Sequence, residues 1–97
     1  MTNITQQENQ WRVSGDLLMD NVNATLSQSH ELLMTNPIEI DFSAVTDVDT
    51  AAVSLIMEWQ RRAIASNCKV TFTNLPADLT SLAALYGVTE FIPISIN

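Results

Sequence analysis

The stretch Asp47-Val48-Asp49-Thr50 brings two carboxylates and a hydroxyl within four residues. It lies in "DFSAVTDVDTAAVSLIMEW", where an apolar alternating run gives way to a helical pattern. Aspartates two apart open an Asp-x-Asp-x-Thr phosphotransfer motif, in which one carboxylate attacks phosphorus and the second moves a proton. Here the threonine comes one residue early. That chemistry also needs a lysine and more acids from a much larger core, and Lys69 is the sole lysine. Asp47, Asp49 and Glu58 match the first, third and twelfth places of a calcium loop, but Ala51 and Ala52 stand where an oxygen ligand and the turn glycine belong. Gly15 and Gly87 are the only glycines, too few for a phosphate-cradling loop. His30 has neither a second histidine nor a nearby cysteine to complete a metal site or a nucleophile pair, and reads as a surface or boundary residue in the first helix. Cys68 is alone, closes no internal disulfide and reads as a small buried thiol. The expectation is a protein with no catalytic residue, cofactor or metal.

The same junction makes sense as a helix start. A carboxylate at Asp49 can accept from a free backbone N–H of the first turn and meet the positive end of the helix dipole, which makes Thr50 the first helical residue. Stepping about 100° per residue puts Ala52, Leu55, Ile56, Trp59, Ala63 and Ile64 on one wide face, toward a sheet. Thr50, Ser54, Glu58 and Arg61 fall on the other. Glu58 and Arg62, four apart with the acid first, predict a surface ion pair. A first-turn threonine beside the small Ala51 leaves backbone open to a partner, although Thr50 in a tolerated position beside two good helix formers reads equally as plain helix.

The elements that position this junction follow from periodicity. Trp11 and Val13 alternate with Arg12 and Ser14, a strand with one apolar face, and the stretch around Ile4 can pair with it as a hairpin. From a cap at Asp20, residues Val22, Leu26 and Leu33 recur at helical spacing until Asn36-Pro37. Ile38, Ile40 and Phe42 alternate with Glu39 and Asp41, as Val70 and Phe72 do with Lys69, Thr71 and Thr73. Doubly covered strands read as unbroken apolar runs, so these one-sided strands predict an α/β domain with helices mainly on one face of its sheet. A middle helix spans about 49–67. A last one runs from a cap at Asp78 through Leu79, Leu82, Leu85 and Tyr86 to a stop at Gly87, and Trp11 and Trp59 belong to the core. Ile92, Ile94 and Ile96 around Pro93 predict an edge strand, since proline cannot donate to the ladder.

A chain of 97 residues has room for one domain, expected over 1–97. Its formal charge of −7 repels nucleic-acid phosphates and anionic lipid headgroups, so neither nucleic acid nor direct membrane insertion is expected. The polar start "MTNITQQENQ" has none of the features of a signal peptide, and no apolar run approaches a membrane span. A cytoplasmic location is expected.

The order strand, helix, "IEIDFSAVTDVDTAAVSLIMEW", "KVTFTNL", "LTSLAALYGV" resembles the STAS domain family over nearly the whole chain, most specifically at "IDFSAVTDVDTAA". The Asp-Thr pair, the "LAALYGV" ending and the stand-alone length are most similar to the branch that serves as a cytoplasmic subunit of the bacterial phospholipid ABC transporter maintaining outer-membrane lipid asymmetry. The resemblance implies a mixed sheet of four to five strands and a non-catalytic subunit that binds the transporter's ATPase subunit, peripheral to the inner membrane through that complex. It also implies that Thr50 is the family's functional hydroxyl residue and Asp49 the acid before it. In the sigma-regulating branch that hydroxyl is phosphorylated, so an anti-sigma-factor antagonist switched at Thr50 is the alternative. Ala51 and Ala52 replace the glycine that often follows. The expected partner face is the ridge Thr50, Ser54, Met57 and Arg61 with Asp47, Asp49 and Ala51, burying on the order of 800 Å² per partner.

Overall fold

A computed structural model describes residues 3–87. In chain order the elements are β1 (Asn3–Gln7), β2 (Gln10–Leu17), α1 (Val22–His30), β3 (Ile38–Val48), α2 (Thr50–Ala65), β4 (Val70–Thr73) and α3 (Ala77–Leu85). The four strands form one sheet in the order β1-β2-β3-β4, antiparallel for the first pair and parallel for the other two. The predicted mixed sheet and N-terminal hairpin are therefore present. The strand expected around Ile92 to Ile96 lies outside the described residues.

Registration sorts the two faces of the sheet. Gln6, Trp11, Ile40 and Phe72 form one row across the four strands, and Thr5, Arg12, Asp41 and Thr73 form the next. The first face is closed by α2 through Ala52, Leu55, Ile56, Trp59 and Ala63, with Leu79 and Ala83 of α3 and the partly buried Val22 and Leu26 of α1 joining the same core. Its aromatics touch in series: Trp11 meets Trp59 edge-on at 5.6 Å between centroids, and Phe42 lies 6.2 Å from both Trp59 and Phe72. Each such pair adds roughly 0.5–1.5 kcal/mol to its burial. Asp41, expected on a wet face, is only 3% exposed. It accepts from the backbone N–H and hydroxyl of Ser43 and from the Asn74 amide, each at 2.9 Å, and faces the Arg12 guanidinium at 3.5 Å. Burial pushes its carboxyl up, but the bonds from Asn74 and Ser43 and the charge of Arg12 outweigh that and hold it below the ordinary value. Thr73 is buried beside it and donates to Glu39.

Several helix details depart from the periodicity. Asn21, not Asp20, precedes α1, and its side chain accepts from Leu18 N–H and donates to Asp16 instead of capping. The helix ends at His30, six residues before Asn36, which leaves His30 exposed in the last turn and Leu33 74% exposed beyond it. Long-range donors take the carbonyls that a longer helix would use. Arg62 donates to Ser29 and Leu32 at 2.7 and 2.6 Å, and the Trp11 indole donates to Leu33 at 3.0 Å. Arg62 is thus unavailable to Glu58, which pairs with Arg61 instead. Ile64, expected on the core face, is 68% exposed: twelve steps of about 100° set it about 120° round from Ala52, past the edge of the core stripe.

The C-terminal turns supply the remaining differences. After α2, Asn67 adopts φ +56°, and the N–H groups of Cys68 and Asn67 return to the carbonyls of Ala63 and Ile64, a left-handed closing turn. Cys68 is half-buried, not enclosed, and its Sγ donates to the Met34 carbonyl at 3.2 Å. Pro76, not Asp78, sits at the cap of α3: its fixed φ of −58° starts the helix early, and Asp78 falls in the first turn, where its charge faces the dipole. Gly87 ends that helix at φ +69° as expected. Leu85 and Tyr86 are exposed, since this short helix buries only Leu79 and Ala83.

Candidate functional site

Parallel pairing of β2 and β3 sets Leu17 beside Val48, so both strands end at the same edge and their following turns emerge together. Crevices outside the carboxyl ends of parallel strands are recurrent binding sites in open α/β sheets. Asp49 joins the two turns. One carboxylate oxygen accepts from Ala51 N–H at 2.8 Å, the helix cap expected from the sequence, and the other accepts from Met19 N–H at 2.9 Å, thirty residues away. Its own N–H donates to the Leu17 carbonyl at 3.2 Å.

The ridge of α2 that follows is open to solvent along part of its length. Thr50 is half-buried at the first position, Ser54 and Arg61 are exposed, and Met57 and Glu58 are half-buried between them. Beside this ridge runs an open groove of about 820 Å³. Thr50, Ala51, Ser54, Met57 and Arg61, five of the residues singled out from the sequence, line it. Ala51 is itself buried, and Asp47 is exposed at the strand end without lining the groove. Asp49 is used inside the protein, its oxygens both occupied by backbone N–H groups.

Sequence reasoning missed the opposite wall, made by Met19 and Val22 from the turn and start of α1, and by Tyr86 past α3. A weak signal existed. Met19 stands in a turn and Tyr86 at a helix end, where apolar bulk has no local reason. Among the described residues no group of three or more His, Cys, Asp or Glu could hold a metal ion. Among them, too, no helix is long and apolar enough to cross a membrane.

A family model described as "Mlab, STAS domain" matches residues 1–94. The chain belongs to that family. Solved structures with the same fold include SpoIIAA, an anti-sigma factor antagonist in its unphosphorylated form. It is 12% identical, with a TM-score of 0.73 over 100% of this chain and 90% of that one. A putative anti-sigma factor antagonist from Thermotoga maritima is 11% identical, with a TM-score of 0.77 over 99% of this chain and 86% of its own. One from Mycobacterium paratuberculosis is 14% identical, with a TM-score of 0.73 over 100% and 86%. At such identities the STAS domain shares its fold with them. No curated protein matches the sequence.

Proposed function

We propose that this STAS domain is a non-catalytic subunit that binds the ATPase subunit of an inner-membrane phospholipid ABC transporter, supports its assembly and ATP turnover, and so serves outer-membrane lipid asymmetry. In this reading it lies on the cytoplasmic side, held to the membrane through its partner. The observation that carries the reading is the accessible ridge of Thr50, Ser54, Met57 and Arg61, set beside an apolar groove at the carboxyl ends of parallel strands, in a chain of the MlaB-type family.

The solved anti-sigma factor antagonists favour a second reading, in which phosphorylation of Thr50 switches the contact. A phosphate gains from free N–H groups at a helix start. Here the Ala51 N–H is already held by Asp49, and Asp47 and a net charge of −7 oppose a further anion. Constitutive docking is the easier use of this geometry. Co-purification with a phospholipid-transporter ATPase subunit, and ATP turnover with and without this protein, test it. Thr50→Glu is expected to abolish capture of the ATPase while circular dichroism and thermal unfolding stay as in the wild type. Undiminished capture by that variant counts against the face. A kinase that modifies Thr50, in a protein that leaves ATP turnover unchanged, would put the second reading first.

A further inference from the structure

The groove carries information about what it holds. Met19 is 67% exposed on one rim and Tyr86 57% exposed on the other, with Met57 and Val53 between them. Folding this domain does not require that much apolar surface to remain in water. Apolar patches rimmed by polar groups mark interaction sites, and methionine and tyrosine are enriched there because the first adapts its shape and the second adds rigid area. The rim is acidic. Asp20 follows Met19 in the turn and Asp47 is exposed at the end of β3, both next to the lining and not part of it. Arg61 and Glu58, the charged residues that line it, pair with each other. On a molecule of charge −7 this leaves a site apolar at its centre and negative at its edge.

We infer that the groove between Met19, Met57 and Tyr86 seats an amphipathic segment of the ATPase, its apolar side chains in the centre and a lysine or arginine against the Asp20 and Asp47 edge. The inference rests on the reading above and adds the partner's chemistry and a second wall to the Thr50 ridge. Asp49 positions that wall through Met19 N–H. Complementary charge at the edge speeds encounter and fixes orientation, and buried apolar anchors carry the affinity.

The test is titration of the purified ATPase against wild type, Thr50→Glu, Met19→Ser, Tyr86→Ala and the double variant Asp20→Asn with Asp47→Asn, at low and high salt. Urea unfolding confirms that each is folded. Met19→Ser and Tyr86→Ala are expected to weaken binding about tenfold or more each. The double aspartate variant is expected to bind more slowly at low salt and to lose much of the wild type's salt dependence. If wild type binds, Thr50→Glu does not, and both groove variants bind like wild type, the groove is overturned and the ridge stands. Weakened binding with unaltered salt dependence overturns the basic edge. If the wild type does not bind the ATPase at all, this inference and the reading beneath it fall together.

Discussion

Asp49 holds two backbone N–H groups at once, Ala51 in the first turn of α2 and Met19 in the turn before α1. Removing a capping side chain costs roughly 0.5–2 kcal/mol, and here the Met19 donor loses its acceptor as well. Asp49→Ala is therefore expected to lower stability by about 1–2 kcal/mol in urea titration. Asn at this position keeps one carbonyl oxygen and should cost less. The cap was legible from "DVDT" because N-capping is local, a matter of residue type and spacing along a few positions. Its second bond was not, because Met19 is brought to it by the pairing of two strands whose partners the sequence does not name.

At the scale of elements, Arg62 sets where α1 ends. Its guanidinium donates to the carbonyls of Ser29 and Leu32 and lies 5.5 Å from the centre of the Trp11 ring. The Trp59 indole donates to the Ser29 hydroxyl at 2.9 Å, so α1 is fastened to α2 by polar groups as much as by Val22 and Leu26. A fork of this shape satisfies two acceptors, and lysine has no equivalent. Arg62→Lys should leave one carbonyl unpaired, and Arg62→Ala both. The expected loss is about 1.5–3 kcal/mol for the alanine variant and less for lysine, with faster amide hydrogen exchange in 25–30 while β3 stays protected. Helical spacing suggested Glu58 as the partner of Arg62 because i and i+4 are neighbours on any helix. Two part-buried carbonyls take the Arg62 guanidinium instead, and only the packed structure places them within reach.

For the molecule as a whole, Asp41 ties strands together: Arg12 reaches it from β2, and Asn74 from the turn after β4. Its folded pKa lies below the ordinary 3.8. The ionised form is thus favoured in the native state, and its contribution is complete above the unfolded value and disappears as pH falls through the folded one. Wild type should lose stability on acidification below about pH 4. Asp41→Asn should be less stable at neutral pH and show a flatter acid limb, as read from urea midpoints between pH 2 and 6. A parallel acid limb in the variant would mean that other carboxylates set it.

What the sequence by itself determined was mostly periodic or local. Two-residue alternation set which face of each strand is buried, the Asp49 cap and the Gly87 stop bounded helices, and residues 40–52 pointed to the STAS family whose model the chain matches. What only tertiary structure decided was non-local. It ended α1 at His30, turned Ile64, Leu85 and Tyr86 outward, buried Asp41, and joined Met19, Met57 and Tyr86 around one groove. The physical reason is that side-chain direction along an element follows from its own repeat, whereas the neighbours that satisfy or enclose a group are chosen by strand order. In this chain, parallel pairing of β2 with β3 makes residues thirty apart adjacent.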